Sequence, residues 1–177
     1  MREIPLTQGQ VALIDDEDYE LVSRYKWCAV YSPHSKTYYA ASAVRDRDTA
    51  ARTRLMMHAV IMGSKSIDHA DHNGLNNQRY NLRFATTSQN TANQRIRSDN
   101  TSGFKGVSLD RRNNRWQSYI RINGSRMGLG SYPDPVDAAI AYDYAARELF
   151  SEFAFLNFPD SLWDKIEPIP VDYDLIT

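Results

Sequence analysis

The sequence predicts an α+β protein made of three consecutive units, and three observations support this fold class. Short runs in which apolar and polar residues alternate are typical of strands, and the clearest is Arg115–Ile122. Between residues 67 and 96, two short apolar runs are separated by turn-forming residues and followed by a helical pattern, which predicts a strand–loop–strand–helix (ββα) unit. The region after it combines strand patterns with one long helical pattern. It predicts a three-stranded antiparallel sheet packed on one α-helix.

The first unit, residues 1–66, is predicted to be a small mixed region of strands and short helices. The apolar run Gln10–Ile14 precedes acidic residues that favour the start of a helix. This helix is predicted from residues at helical spacing, which are Tyr19, Leu21, Val22 and Tyr25. Two strands are predicted at Trp27–Tyr31 and Thr37–Val44, with a Ser-Pro-His-Ser turn between them. A second short helix is predicted to end at Gly63.

The second unit, residues 67–96, contains the polar side chains of greatest chemical interest. Strands are predicted at Ile67–Ala70 and Asn81–Ala85, and the loop between them is rich in asparagine and glycine, which tolerate positive φ. Thr86 is predicted to start a helix that extends to about residue 95, because Gln89 completes a capping box. The unit therefore places a polar loop between two strands and a helix.

Four side chains in this unit suit the hydrolysis of a phosphodiester around one metal ion. A neutral imidazole such as His69 can take a proton from water near neutral pH. Carboxylate and amide oxygens, here those of Asp68 and Asn90, are suitable ligands for Mg²⁺ or Mn²⁺. We therefore expect His69 to be the general base, Asp68 and Asn90 to hold one divalent metal ion, and Asn81 to orient the base or brace the loop. The expected site is a cleft in which the imidazole is accessible and the two ligand oxygens converge.

The third unit, residues 104–159, follows a polar, turn-prone linker at 97–103. Its strands are predicted at Phe104–Leu109, at Arg115–Ile122 and after Asn123-Gly124, a strong hairpin signal. One face of the second strand is polar, and it consists of Arg115, Gln117, Tyr119 and Arg121.

The helix of the third unit is predicted from its cap and its small-residue stripe. Asp134 is expected to cap it, and Pro135 suits its first position. The residues expected to lie on the apolar face of the sheet are Ala139, Tyr142, Ala146, Leu149 and Phe153. The opposite, polar face of the sheet is then free to contact a DNA groove.

The charge distribution points to the same face. The net charge is −1, but residues 91–132 contain 8 basic and 2 acidic residues, whereas residues 133–177 contain 2 basic and 10 acidic residues. A phosphate backbone responds to a local basic patch. The expected partner is double-stranded DNA, contacted by Lys105, Arg112, Arg115, Tyr119, Arg121, Arg126 and Ser131. The acidic tail, 160–177, is expected to cover the helix or to mediate self-association as a homodimer.

Two stretches resemble known families. Asp68-His69, with Asn81 twelve positions after the histidine and Asn90 nine further on, resembles the zinc-free branch of the HNH endonucleases, found in phage and intron-borne homing enzymes. The upstream IPLTQGQVALIDDEDYE and LMMHAVIMG are also similar to such enzymes. The resemblance implies a ββα-metal (His-Me finger) nuclease core, with the base, ligands and orienting residue assigned as above. Asp71-His72 stands where that family more often has Asn-Gly.

The third unit resembles the Apetala-type (ethylene-response-factor) DNA-binding domain of plant transcription factors. The likeness lies in FKGV, RWQSYIRI, LGSYPDPVDAAIAYDYAA and FLNFP. The plant family usually has Arg or Trp at the positions of Ser108 and Gly128. The order of the two resemblances is that of HNH–Apetala-type fusions among homing endonucleases.

Simpler interpretations stand beside these. His72 is a loop histidine or an additional ligand or phosphate contact, and His58 is expected to pack against the core. The alternating arginines are also compatible with a solvated sheet face. The whole chain is also compatible with a DNA-binding regulator that retains a non-catalytic nuclease scaffold, or with a structural protein. Cys28 is alone, which excludes an internal disulfide and a multi-cysteine zinc site. Without an apolar signal or membrane segment, a cytoplasmic location in a phage or bacterial host is expected.

Overall fold

The computed structural model describes residues 1–45 and 52–166, in which the fold is mixed α+β with small antiparallel sheets. The chain divides into two compact units, Met1–Thr86 and Thr87–Thr177. The division lies inside the segment 67–96 that the sequence assigns to one ββα unit. The two strands of that segment belong to the first unit and its helix to the second.

The first unit contains a hairpin, a three-stranded sheet, a two-stranded sheet and two short helices. The hairpin is formed by β1 and β2, the larger antiparallel sheet has the order β3–β4–β5, and the smaller one pairs β6 with β7. The elements in chain order are β1 Arg2–Pro5, β2 Val11–Ile14, α1 Tyr19–Val22, β3 Cys28–Ser32, β4 Thr37–Arg45, β5 Arg52–Met56, α2 Met57–Met62, β6 Ile67–His69 and β7 Leu82–Phe84.

Several local predictions for this unit are confirmed. Strands β3 and β4 occur where strands are predicted, displaced by one residue at their ends. Helix α2 ends at Gly63, whose φ of 65° is the left-handed conformation that glycine adopts without strain. Strand β1 was not predicted, and α1 is a single turn that ends at Val22 and does not extend to Tyr25. The predicted strand Asn81–Ala85 is shorter, because Asn81 ends a 3₁₀ turn.

The core of the first unit is an apolar cluster with residues from most of its elements. Buried side chains from the hairpin, α2, β6 and β7 form one cluster that includes Ile14, Trp27, Met57, Ile67 and Leu82. The Trp27 indole donates to the carbonyl of Val22 at 2.8 Å, which satisfies its polar atom inside this cluster. This packing fixes β6, the strand that carries Asp68 and His69.

The second unit is a three-stranded antiparallel sheet with one long helix and one short helix. The sheet order is β10–β9–β8. The elements are α3 Thr87–Asn93, β8 Val107–Asp110, β9 Arg115–Ile122, β10 Ser125–Tyr132 and α4 Pro135–Phe150. The β9–β10 turn has φ of 50° at Asn123 and 84° at Gly124, as expected for the Asn-Gly hairpin. Strand β8 starts three residues later than predicted, and α3 ends two residues earlier.

Helix α4 begins and packs as its sequence predicts. The Asp134 side chain accepts from the backbone N–H of Val136 at 2.6 Å, and Pro135 is the first helical residue. Ala138 and Ala139 are fully buried against Val107 of the sheet. The prediction that Leu149 lies on this face is wrong, since its side chain is 37% exposed, and Phe150 is buried in its place.

The acidic tail starts with a segment that covers α4. Residues Asp160–Lys165 form a 3₁₀ helix. The Trp163 ring contacts the Tyr144 ring edge-on with a centroid distance of 4.7 Å, and the Arg147 guanidinium lies 4.5 Å from the Trp163 centroid. The rest of the tail, 167–177, lies outside the described residues. None of the helices in the described part of the chain has the length and hydrophobicity of a membrane-spanning segment.

Candidate functional site

Asp68 and Arg83 face each other across β6 and β7. They are direct partners in the antiparallel register, and Arg83 donates to Asp68 Oδ2 from Nε at 2.9 Å and from Nη2 at 2.8 Å. Asp68 is 5% exposed. An ion pair with this little solvent exposure is held by charge and hydrogen bonding together. The predicted metal ligand is therefore paired with a cation of its own sheet, a partner that the sequence analysis did not identify.

His69 lies in a cluster of aromatic rings. Its imidazole contacts the Tyr39 ring at a centroid distance of 5.7 Å and the His58 ring at 5.0 Å, both edge-on. Tyr39 comes from β4 and His58 from α2. The residue is 6% exposed, so the ring is enclosed, and the expectation of an accessible imidazole in an open cleft does not agree with this structure.

Enclosure also determines the protonation of these rings. Burial lowers the pKa of His69 below its usual value, and a hydrogen bond with the Asn77 side chain and the charges of Asp71 and Asp68 act in the opposite direction. Burial, together with the charge of His69, lowers the pKa of His58 to about 4. Both imidazoles are therefore neutral at physiological pH, the state in which a histidine can accept a proton.

Asn81 braces the loop that follows β6. Its Oδ1 accepts from the backbone N–H of Asp71 at 2.9 Å, and its Nδ2 donates to Asp71 Oδ1 at 2.9 Å and to the carbonyl of Asn76 at 2.8 Å. Of the two roles expected for Asn81, bracing the loop is the one that these contacts support. The amide next to the imidazole belongs to Asn77, which is fully buried. In a loop with several asparagines, sequence spacing alone did not distinguish between them.

Asp71 and His72, where the chain departs from the family pattern, differ in how well they suit the loop. Asp71 accepts from the backbone of Asn73 at 2.8 Å and from Asn76 Nδ2 at 2.8 Å, so its carboxylate closes the turn. His72 has a φ of 62°. This left-handed conformation favours glycine and costs other residues energy, which explains why glycine is common at this position.

Gly74 allows the loop to lie against β4. A Cβ there would be 2.5 Å from the carbonyl oxygen of Tyr38 and 2.6 Å from the Tyr39 ring. The backbone N–H of Gly74 donates to Thr37 Oγ1 at 3.2 Å. Because Tyr39 also contacts His69, this close approach connects the loop to the imidazole.

The loop is also attached to the N-terminal hairpin. The backbone N–H of Leu13 donates to the carbonyl of Leu75, and that of Asn77 donates to the carbonyl of Leu13, both at 2.8 Å. Asp15 accepts from Gln78 Nε2 at 3.0 Å and from the backbone N–H of Arg79 at 2.7 Å. The upstream residues thus hold the middle and the C-terminal part of the loop in place.

Asn90, the second predicted metal ligand, lies in the second unit. It is on α3 and its side chain is exposed. Within 1–45 and 52–166, no group of three or more His, Cys, Asp or Glu side chains could hold a metal ion. A Mg²⁺ site needs only one or two carboxylates, since the ion keeps several waters and binds substrate phosphates. Each of Asp68 and Asn90 offers the hard oxygen donor that Mg²⁺ prefers. Their role as ligands stays a prediction.

In the second unit, the polar face of the sheet carries an ordered cation. The Arg126 guanidinium stacks on the Tyr119 ring, 3.6 Å from its centroid, and Arg126 pairs with Arg121 in the β9–β10 register. Arg121 and Arg126 are exposed. Gly128 is the register partner of Tyr119 and has open space where a Cβ would lie. The position where the plant family has a large side chain is therefore unfilled here.

The other predicted DNA contacts occupy the same sheet or its turn. Arg115 donates from Nε to Ser131 Oγ at 3.2 Å and from Nη2 to the Ser131 carbonyl at 2.6 Å, so these two residues form one polar group. Arg112 is exposed in the turn between β8 and β9. These positions remain predictions for DNA contact.

Lys105 has partners different from the predicted DNA phosphate. Its Nζ donates to the carbonyls of Ala92 and Gln94, the second at 2.6 Å. Burial lowers the pKa of Lys105 to about 7, against the charge of Asp143. The ammonium group is directed to the end of α3, because the chain around residue 105 packs beside that helix. The sequence marks this lysine as basic but does not show where it points.

The comparisons with known proteins define the class. The chain is 33% identical over 150 residues to an uncharacterized HNH endonuclease of Acanthamoeba polyphaga mimivirus, a match that covers 85% of this chain and 76% of the relative. The chain therefore belongs to the HNH endonuclease family. It is also 33% identical over 88 residues to protein 3.8 of Escherichia phage T7, which covers 50% of this chain and 72% of that protein.

A second group of relatives is matched over a shorter length. The chain is 43% identical over 68 residues to an ethylene-responsive transcription factor of Arabidopsis thaliana, which covers 37% of this chain and 28% of that protein. No family model matches the chain, and no solved structure matches it significantly. The comparisons thus support the resemblance to HNH endonucleases and, over part of the chain, the resemblance to ethylene-responsive transcription factors. The zinc-free homing type stays a prediction.

Proposed function

We propose that the protein is a metal-dependent DNA endonuclease of the homing type. The first unit supplies Asp68 and His69, and the second supplies a basic sheet that binds double-stranded DNA. The observation that carries this proposal is the HNH endonuclease match over 85% of the chain, combined with an Asp-His pair on β6, directly before a braced loop. The match shows the family, and the Asp68-His69 pair is the proposed catalytic site.

In this proposal, His69 is the general base that takes a proton from the attacking water. Burial holds the pKa of His69 down, so the ring is neutral and ready to accept at physiological pH. Tyr39 and His58 fix the plane of the ring by edge contacts. Since the residue is only 6% exposed, the proposal requires the ring to become accessible to water and phosphate in the DNA complex.

Asp68 and Asn90 would hold one Mg²⁺ or Mn²⁺ ion, which fits their hard oxygen donors. Such an ion supplies charge stabilisation at the phosphoryl oxygens and at the leaving oxygen. Arg83 donates two hydrogen bonds to Asp68 Oδ2 and so orients that carboxylate. Its guanidinium is also a planar cation beside Asp68, and it suits a phosphate oxygen.

DNA would be bound by the polar face of the β8–β10 sheet. Stacking of Arg126 on Tyr119 orders one guanidinium before DNA arrives, so less side-chain entropy is lost on binding. The local charge of residues 91–132, with 8 basic and 2 acidic residues, suits a phosphate backbone. About six phosphate contacts would make the affinity fall steeply with salt.

A DNA-binding regulator with a silent nuclease scaffold is the second candidate. The enclosed His69 and the Asp68–Arg83 pair favour it, because both catalytic groups are engaged within the protein. Incubation with supercoiled plasmid separates the two, with Mg²⁺ in one sample and a chelator in the other. Conversion to open-circular or linear DNA only with Mg²⁺ selects the endonuclease. A gel shift without cleavage in both samples selects the regulator and overturns the proposal.

A further inference from the structure

Helix α3 is fixed at its C-terminal end by one lysine. The Lys105 ammonium donates to the carbonyls of Ala92 and Gln94, and the backbone N–H of Phe155 donates to the same Ala92 carbonyl at 3.1 Å. The ammonium also lies over the Phe155 ring, 5.5 Å from its centroid. A cation at the C-terminus of a helix is favoured by the helix dipole and by carbonyls that have no partner within the helix.

The backbone of Lys105 is itself held rigidly. Its N–H donates to Asn157 Oδ1 at 2.7 Å, and Asn157 Nδ2 donates to the Lys105 carbonyl at 3.1 Å. The backbone N–H of Asn157 donates to both carboxylate oxygens of Asp143 at 2.9 Å. Asp143 is fully buried on α4. A continuous hydrogen-bond network therefore runs from α4 through Asn157 and Lys105 to the end of α3.

The N-terminal half of α3 is attached to the sheet. Ser88 accepts from the backbone N–H of Asn123 at 2.7 Å and donates to Asn123 Oδ1 at 3.1 Å. Asn123 is the first residue of the β9–β10 turn. A helix of seven residues is not stable alone in water, so its position depends on these attachments.

We propose that Lys105 is a positioning residue that locks α3, and with it Asn90, to the DNA-binding sheet. The inference rests on the proposed role of Asn90 as a metal ligand. The sheet that holds the duplex and the helix that carries the ligand then move as one body. Lys105 contributes through the carbonyls of Ala92 and Gln94 and not through a DNA phosphate, which assigns it a role different from that of the arginines on the sheet face.

The test compares Lys105→Met with Arg121→Met. Each substitution removes one basic side chain, and Arg121→Met is the comparison because Arg121 lies on the sheet face. Duplex affinity is measured at fixed salt, and single-turnover cleavage is measured on saturated complex as a function of Mg²⁺. For Lys105→Met we expect nearly unchanged affinity, a cleavage rate about ten- to a hundredfold lower, and a higher Mg²⁺ requirement, because a displaced ligand binds the ion poorly. For Arg121→Met we expect weaker duplex binding and the same Mg²⁺ requirement as the wild type, because Arg121 does not contact α3 through these carbonyls.

Two results overturn the proposal. If Lys105→Met weakens binding as Arg121→Met does and cleaves normally at saturation, Lys105 is a DNA contact. If it changes neither the rate nor the Mg²⁺ requirement, Lys105 does not position Asn90. Where Lys105→Met fails to fold, Ser88→Ala removes the attachment at the other end of α3 and is judged by the same two measurements.

Hydrogen exchange distinguishes a failure of this inference from a failure of the proposed function. If the wild-type protein does not cleave DNA, the nuclease proposal fails, but exchange of the α3 backbone amides still reports on the lock. Faster exchange in Lys105→Met, confined to 88–93 and its contacts, supports the lock. Unchanged exchange of these amides contradicts it, whatever the protein does to DNA.

Discussion

Arg83 donates two hydrogen bonds to a single oxygen of Asp68, directly across the two-stranded sheet β6–β7. The carboxylate is 5% exposed, so the protein and not solvent surrounds it. The same carboxylate is the proposed metal ligand. Stability and metal binding are therefore connected through one ion pair.

Replacement of Arg83 by methionine should destabilise the protein and make its melting temperature more dependent on Mg²⁺. Removal of one partner of a buried pair leaves an uncompensated charge, with an expected loss of about 2–4 kcal/mol in the free energy of unfolding. Mg²⁺ should raise the melting temperature of Arg83→Met more than that of the wild type, since ion binding to the folded state is stabilising. Arg97→Met, which breaks the exposed Arg97–Asp99 pair, is the control and should change stability little. A variant as stable as the wild type would contradict the pairing.

Gly74→Ala should damage both the fold and the site. The added Cβ would lie 2.5 Å from a backbone oxygen and 2.6 Å from the Tyr39 ring, so Tyr39 has to move, and with it the ring contact to His69. We expect a loss of about 1–3 kcal/mol in unfolding free energy and slower cleavage. Urea titration measures the first effect and a plasmid cleavage assay the second. Gly128→Ala, where a Cβ meets open space, is the control. Equal behaviour of the two variants would show that the loop does not need the close approach.

Gly128→Arg should strengthen DNA binding. Gly128 pairs with Tyr119 on the polar face and has room for a side chain. One additional phosphate contact increases the slope of log affinity against log salt by about 0.9. Val136→Arg adds the same charge at an exposed position of α4 and should leave the slope unchanged. A Gly128→Arg slope equal to the wild-type value would place this strand outside the interface.

Asp143 should make stability depend on pH in the acidic range. Burial raises its pKa to about 6, against hydrogen bonds from Asn157 and Phe158. The folded state thus binds this proton more tightly than the unfolded chain, for which the usual value is 3.8. The stabilisation is complete below about pH 4 and is lost as the pH rises through 6.

The contribution of Asp143 is isolated by comparison with Asp143→Asn. Relative to this variant, the wild type should lose about 1–3 kcal/mol between pH 4 and 6, a window in which Lys105 stays charged. Urea unfolding at each pH measures the difference. A difference that stays constant with pH would show that the folded pKa is not raised.

The sequence predicted the elements whose determinants are local. Strand β9, the Asn-Gly hairpin and the Asp134 cap all follow from residues within a few positions of one another, and each is found where it is predicted. Strand β1 was missed, because its run Arg2–Pro5 is short and lacks alternation, and only pairing with β2 makes it a strand. Local patterns do not contain that pairing.

The sequence predicts that Asp68 and His69 are neighbours before a polar loop, but it does not predict their environment. Asp68 and His69 do lie together on β6, at the start of a loop that Asn81 braces. The enclosure of His69 depends on Tyr39 and His58, which are distant in sequence, so burial and pKa were not predictable. Arg83 could have been found, since an antiparallel pairing of the two predicted strands puts it opposite Asp68.

The central claim, that His69 is the base of a nuclease, is tested most directly by His69→Ala on a saturated duplex complex. Single-turnover cleavage with Mg²⁺ is compared with that of the wild type, and duplex affinity is measured in parallel. We predict a rate lower by about 10²- to 10⁴-fold with nearly unchanged affinity. Cleavage by His69→Ala at the wild-type rate would contradict the account.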